Sequence, residues 1–207
     1  DYEDKYEYIL PEIDLNKNLL NNNQIGILDL QTNLKVHNYD TNKLENFLVN
    51  NFNWSSKDLV TNNGLNTKIL GNVKNINYEA KNVDLYKEEL TYELYGALGI
   101  LSELNLQKMQ NNSRHILKPK ILLRYAPDNM RKETSGSRLS PLTAFKINKL
   151  DNNNNFETGL SSSIGLDYKI KNNETDFDFS IAQVISEKEN KKMASITSLD
   201  EKLSDVV

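Results

Sequence analysis

Residues able to do covalent chemistry are few in this chain. The only histidines are His37 and His115, each at or near the end of a patterned run, where solvated surface is the expected role. There is no His-x-x-x-His pair, no cysteine of any kind and no Gly-x-Ser-x-Gly elbow. The usual anchors of zinc and serine hydrolases are therefore missing. Ser161-Ser162-Ser163 would place neighbouring hydroxyls on opposite sides of a strand and reads as strand filler. Asp176 and Asp178 share one face and could form a carboxylate pair, but in their setting a wetted face is the expected role. Arg131, Lys132 and Arg138 lie in a Ser-rich loop that could meet anionic groups and is otherwise solvated. The residues point to no enzyme, no metal and no cofactor.

The elements that would position these groups are strands. From Phe156 to Ile170 the even positions (Phe156, Leu160, Ile164, Leu166, Tyr168) are mostly apolar. The odd positions (Glu157, Ser161, Ser163, Asp167, Lys169) are polar or small. Successive side chains of a strand point to opposite faces, so this run predicts one long two-faced strand. Asn172 to Glu174 supply a turn, after which Phe177, Phe179 and Ile181 oppose Asp176 and Asp178, predicting a β-hairpin. Phe156 and Tyr168 would stand ~40 Å apart along the strand at ~3.3 Å per residue, or ~30 Å along an axis tilted by ~40°. That matches the apolar band of an outer-membrane barrel. A long hairpin of a soluble sandwich, with its apolar face on a second sheet, is the alternative at this point.

The rest of the chain follows the same rule. Tyr8–Leu15 reads as a strand with Pro11 at an edge or strand start, followed by an Asn-rich link. Leu28, Leu30, Thr32, Leu34 and Val36 alternate with Asp29, Gln31, Asn33, Lys35 and His37. Leu44, Leu48, Phe52 and Trp54 form a less regular run. Leu65 to Val73 share a parity that Ile76 and Tyr78 reverse, predicting a β-bulge near Lys74-Asn75. Tyr92 to Leu106 predicts a strand over a helix, because Gly96 and Gly99 would weaken the helix by about 1 kcal/mol each. Leu117, Pro119, Ile121, Leu123 and Tyr125 form another clean face, Ala144–Leu150 a shorter strand, and Leu199–Val207 a new beginning. The sum is an all-β antiparallel chain of about nine strands without a helix.

Totals narrow the classes. A net charge of −4 argues against nucleic-acid binding. No apolar stretch approaches ~18 residues, which excludes helical spans, whereas the mean hydropathy of −0.64 is compatible with strands that show lipid only alternate residues. The chain starts at Asp1 and stops within a patterned run, so both ends read as cut rather than capped.

Several segments carry a family likeness. Leu117-Lys118-Pro119-Lys120-Ile121-Leu122-Leu123-Arg124-Tyr125-Ala126-Pro127 resembles a strand of the outer-membrane lipopolysaccharide-assembly proteins, also called organic-solvent-tolerance proteins. Asn155-Phe156-Glu157-Thr158-Gly159-Leu160 is similar to a later strand of that family. Phe179-Ser180-Ile181-Ala182-Gln183-Val184-Ile185, with its F-S-x-x-Q pattern, is similar to the strand that follows. Lys202–Val207 looks like the opening of the next, and Tyr8–Ile13 like an earlier one. The Asn- and Lys-rich style is similar to alphaproteobacterial versions. Residues 115–207 carry most of the likeness, with Pro119, Tyr125, Pro127 and Gln183 as its markers.

The resemblance implies that 1–207 is part of one larger transmembrane β-barrel domain in a Gram-negative cell outer membrane, carrying out transport without covalent chemistry. Its implied partners are lipopolysaccharide, a plug lipoprotein in the lumen, a periplasmic lipopolysaccharide-bridge protein and outer-membrane lipid. On this reading Phe156, Leu160, Ile164, Leu166, Tyr168, Phe177, Phe179 and Ile181 face lipid. Glu157, Ser161, Ser163, Asp167, Lys169, Asp176 and Asp178 face the lumen.

Overall fold

The computed structural model describes residues 7–40, 42–110, 113–127, 129–172 and 176–207. It is all-β: one antiparallel sheet of 10 strands with the order β1-β2-β3-β5-β6-β8-β9-β10. The principal strands are β1 (Tyr8–Asn22), β2 (Gly26–Tyr39), β3 (Lys43–Ser55), β5 (Leu65–Lys81), β6 (Thr91–Leu104), β8 (Ser113–Ala126), β9 (Gly159–Lys171) and β10 (Asp176–Ser186). Two short strands sit off this path, β4 (Leu59–Val60) beside β5 and β7 (Leu106–Gln110) beside β8. The sheet is open, with β1 at one edge and β10 at the other. The turn predicted at Asn172 to Glu174 lies, beyond Asn172, outside the described residues.

Cross-strand pairs define two faces. On the outer face, rows run Leu30–Phe52–Val73–Gly96, Ile100–Leu123–Ser162–Ile185 and Pro119–Leu166–Ile181. Apart from the short β4 and β7, each strand from β2 to β10 places its alternating apolar run there, as side-chain alternation requires. The band so formed is oblique to the rows. The row that crosses the middle of the β5 run at Ile69 reaches β10 only at Ile185, the last apolar residue of its run. That stagger is the relation expected of strands tilted against a band of constant height.

The inner face is where the long connections fold back. Residues 127–158 cover the inner side of β5, β6, β8 and β9. Phe156 joins Phe47, Val49, Ile76, Tyr78, Tyr95, Ala97 and Ala126 in one buried cluster. Residues 187–207 cover the inner side of β10, where Met193 and Leu199 pack with Met130, Leu139, Ala144, Ala182 and Val184.

This packing corrects four sequence expectations. β5 has no bulge at Lys74-Asn75, since its register with β3 and β6 is unbroken. Ile76 and Tyr78 reverse parity because, at their end of the sheet, the inner face is the one that carries a hydrophobic core. Ala144–Leu150 is not a strand; Thr143–Phe145 forms a single 3-10 turn within the folded-back segment. The Asn-rich stretch after Leu15 is no link, because Asn16–Asn22 continue β1 and pair with β2. β9 starts at Gly159 and not at Phe156: Gly159 has φ +111, a left-handed value that interrupts the extended run.

Removing the strand at 144–150 also changes which connections share an end. β1, β3, β7 and β9 finish at one end of the sheet, where 23–25 and 56–64 lie; β2, β5, β8 and β10 finish at the other, where 82–90, 129–158 and 187–207 lie. The longest segments thus gather together. The terminal run behaves as a short partner of β10: Leu203 bridges Ile185, and Ala182 and Val207 exchange backbone hydrogen bonds.

Candidate functional site

The outer-face residues singled out from sequence lie side by side. Leu160, Ile164, Phe177, Phe179 and Ile181 are exposed there, and Leu166 and Tyr168 are half-buried among them. Tyr125 is exposed on the same face, paired with Leu160, and Pro119 pairs with Leu166. Pro127 is exposed just past β8. Gln183 shares the outer face with Ile164 and donates its side-chain amide to the Ser204 carbonyl at 2.9 Å. His115 is tied to Tyr168, its Nδ1 2.8 Å from the phenol oxygen, and is not simply solvated. His37 stacks on Tyr39 and contacts Glu7.

Phe156 is the exception. Its ring is fully buried on the inner side, stacked on Tyr95 at 5.8 Å between centroids. The alternation that placed it with Leu160 is broken by Gly159, which turns the chain across the sheet.

The residues read as lumen-facing share the covered side of the sheet, where the two buried serines are not wetted. Ser161 and Ser163 are covered by the folded-back segment, and the Ser163 hydroxyl donates to the Ala144 carbonyl at 2.5 Å. Gly165 lies next to Ser163 on this face; a Cβ there would stand 2.8 Å from the Phe145 ring. Asp167 pairs with Lys120 at 2.7 Å and Asp178 with Lys169 at 3.3 Å. Asp176 lies exposed opposite Lys171, so the two aspartates serve separate cross-strand contacts.

Glu157 is the centre of the inner side. Its carboxylate lies 3.5 Å from Arg124 Nη1 of β8 and 3.0 Å from Lys149 Nζ, all three side chains being almost wholly buried. The Lys149 backbone N–H donates to the other carboxylate oxygen at 3.1 Å, and the Glu157 N–H donates to Asn148 Oδ1 at 3.0 Å. Arg124 also donates to the carbonyls of Ile147 and Glu157. Burial works to raise the Glu157 carboxyl, but Arg124 and then Lys149 outweigh it and hold it below the usual carboxylate range. Burial lowers the Lys149 ammonium, with Arg124 adding to the effect and Glu157 opposing it. Two cations against one carboxylate leave the cluster with an excess positive charge.

A second anchor lies toward β5. Lys74 Nζ donates to the carbonyls of Asn155 at 3.2 Å and Asn153 at 3.3 Å. Arg131 pairs with Glu93 at 2.9 Å and sits between the Tyr78 and Tyr86 rings at 4.8 and 5.0 Å. Burial opposes the Arg131 charge, and Glu93 more than compensates, raising its pKa. Arg131 is therefore clamped, while Lys132 and Arg138 of the same loop are exposed as expected.

Together these contacts strap 127–158 to the sheet. Among the described residues no three His, Asp or Glu side chains are grouped to hold a metal. What the site offers is a sheet with one exposed apolar face and one face covered by folded-back segments that bury both hydrophobic clusters and ion pairs. Sequence reading missed Arg124, Lys149 and Lys74. Arg124 carried a detectable sign, standing between Leu122 and Ala126 on the inward parity of β8; Lys74, flanked by Asn72 and Asn75, and Lys149, outside any strand, carried none. The chain matches no protein-family model, and no curated protein matches it.

Proposed function

We propose that this chain forms part of the wall of an outer-membrane β-barrel that carries lipopolysaccharide to the outer leaflet. The observation that carries the barrel reading is the continuous exposed apolar band on the outer face, oblique to the hydrogen-bonded rows. Along each strand its run is close to the ~9–11 residues a tilted strand needs to cross a bilayer. The clustering of long connections at one end and mostly short ones at the other supports the same reading, since such barrels pair short periplasmic turns with longer outer loops. The two ends of the open sheet are then strand seams to be completed by further strands, because lipid tolerates no unpaired edge.

The lipopolysaccharide assignment rests on the likeness of segments 115–127, 155–160, 179–185 and 202–207 to that assembly family. On this reading the inner face borders a wet lumen shared with a plug lipoprotein, and the periplasmic bridge protein delivers the lipid from below. Depletion of the gene tests it. Lipopolysaccharide should stop reaching the cell surface, and the protein should fractionate with outer membranes and require detergent for extraction. Normal surface lipopolysaccharide combined with lost uptake of small hydrophilic solutes would replace this reading with a porin. Recovery in a soluble fraction would sink the barrel itself.

A further inference from the structure

The outer face is not uniformly filled. On the row Leu28–Trp54–Gly71–Leu98–Tyr125 and its neighbour Phe52–Val73–Gly96, two glycines stand where every surrounding position carries a large side chain. They leave a hollow of about 490 Å3, floored by Gly71 and Gly96 and walled by Phe52, Trp54, Leu98 and Tyr125. At one end it reaches Pro127, just past β8. None of the residues lining it bears a charge at neutral pH.

The glycines differ in what they permit. A Cβ at Gly71 would already press the Trp54 ring at 3.2 Å. At Gly96 the nearest atom to an added Cβ is the Asn72 carbonyl oxygen at 3.8 Å, and the backbone has no left-handed φ. Neither backbone geometry nor crowding requires glycine there, and glycine weakens a strand interior. The consequence of its missing side chain is the open hollow.

We infer that this hollow holds one acyl chain of a membrane lipid. The inference rests on the reading that the outer face meets lipid, and goes beyond it by giving that face a specific chain-binding site. The absence of charge complements an uncharged alkyl chain, and the aromatic walls Phe52, Trp54 and Tyr125 give a methylene chain close dispersion contacts. In hydrocarbon, where apolar surface has no drive to leave solvent, close packing of this kind is what makes an association selective.

Trp54 is the only tryptophan of the chain and lines the hollow, so it reports directly on the occupant. The full-length protein, with any tryptophan outside residues 1–207 changed to phenylalanine, is reconstituted in phosphatidylcholine vesicles containing increasing mole fractions of the same lipid with dibrominated acyl chains, and Trp54 fluorescence is followed. The expected result is saturable quenching at low mole fraction. Gly96→Leu, which fills the hollow, should raise the half-quenching mole fraction by about tenfold; Gly96→Ala should fall between. Quenching that merely tracks the mole fraction and is indifferent to both substitutions would overturn the bound chain while leaving the lipid-facing wall intact. Quenching by aqueous iodide and not by brominated chains would overturn both.

Discussion

Replacing Glu157 by Ala removes the single carboxylate between Arg124 and Lys149, whose side chains are 1% and 0% exposed. Two buried cations would then face each other with only carbonyl oxygens and Ser161 as partners. Stranding a buried charge in this way costs about 3–5 kcal/mol. Lys149→Met should behave oppositely. It leaves Arg124 and Glu157 as a balanced pair and fills the space of the lysine stem with carbon, so its cost should stay within about 1 kcal/mol. The strap is the part that yields, because β8 and β9 keep their ladder while 143–157 holds on through these side chains. Hydrogen exchange of the residue-157 amide, which donates to Asn148 and keeps that acceptor in both variants, reads the opening directly. In Glu157→Ala exchange across 143–157 should accelerate by about 10² to 10⁴, capped by the strap's own stability, while β8 and β9 stay protected. Lys149→Met should change it by less than about tenfold. Equal effects of the two substitutions, or none, would refute the account of a strap held by an over-charged cluster.

Acid should release the same strap. The folded Glu157 carboxyl titrates below its unfolded value, so the unfolded state binds the proton first. The contribution is complete above the ordinary carboxylate pKa near ~4.3 and is lost as pH falls through the lower folded value. Exchange of 143–157, corrected for intrinsic rates, should be flat from neutral pH to about 5 and rise below about 4. Arg placed at Ile164 should cost about 2–4 kcal/mol if that residue lies near the bilayer midplane, read as loss of folding into vesicles. Ser163→Arg should be equally damaging for another reason, since Ser163 is 1% exposed beneath Ala144; its signature is unprotected 127–158 with the sheet still inserted. Gly165→Ala should destabilise by about 1–3 kcal/mol, because its Cβ would meet the Ile181 carbonyl oxygen at 2.6 Å and the Phe145 ring at 2.8 Å. Adding Phe145→Leu should rescue only part of that loss in thermal unfolding, the backbone contact being unchanged.

The sequence by itself determined the two-faced strands. Leu28 to Val36, Leu117 to Tyr125 and Leu160 to Ile170 each show their face by alternation, since successive side chains must point apart in any extended chain. It also read Tyr92 to Leu106 as strand despite helical spacing; the structure agrees as far as Leu104, breaks at Asn105 and opens the separate β7 at Leu106. Alternation says which residues share a side, and nothing about what covers that side. Ile76 and Tyr78 show the difference: their parity change suggests a bulge locally, but only distant Phe47, Tyr95 and Phe156 reveal that the inner face has become a core there. Phe156 continues the pattern of β9 in the sequence, while one left-handed residue, Gly159, sends it to the opposite side. Arg124, Lys149 and Glu157 are 25 and 8 residues apart in the chain, and their burial follows from where 127–158 folds back. That fold-back depends on the summed contacts of many side chains from separate strands, which no local period encodes, and it was decided only by the tertiary structure.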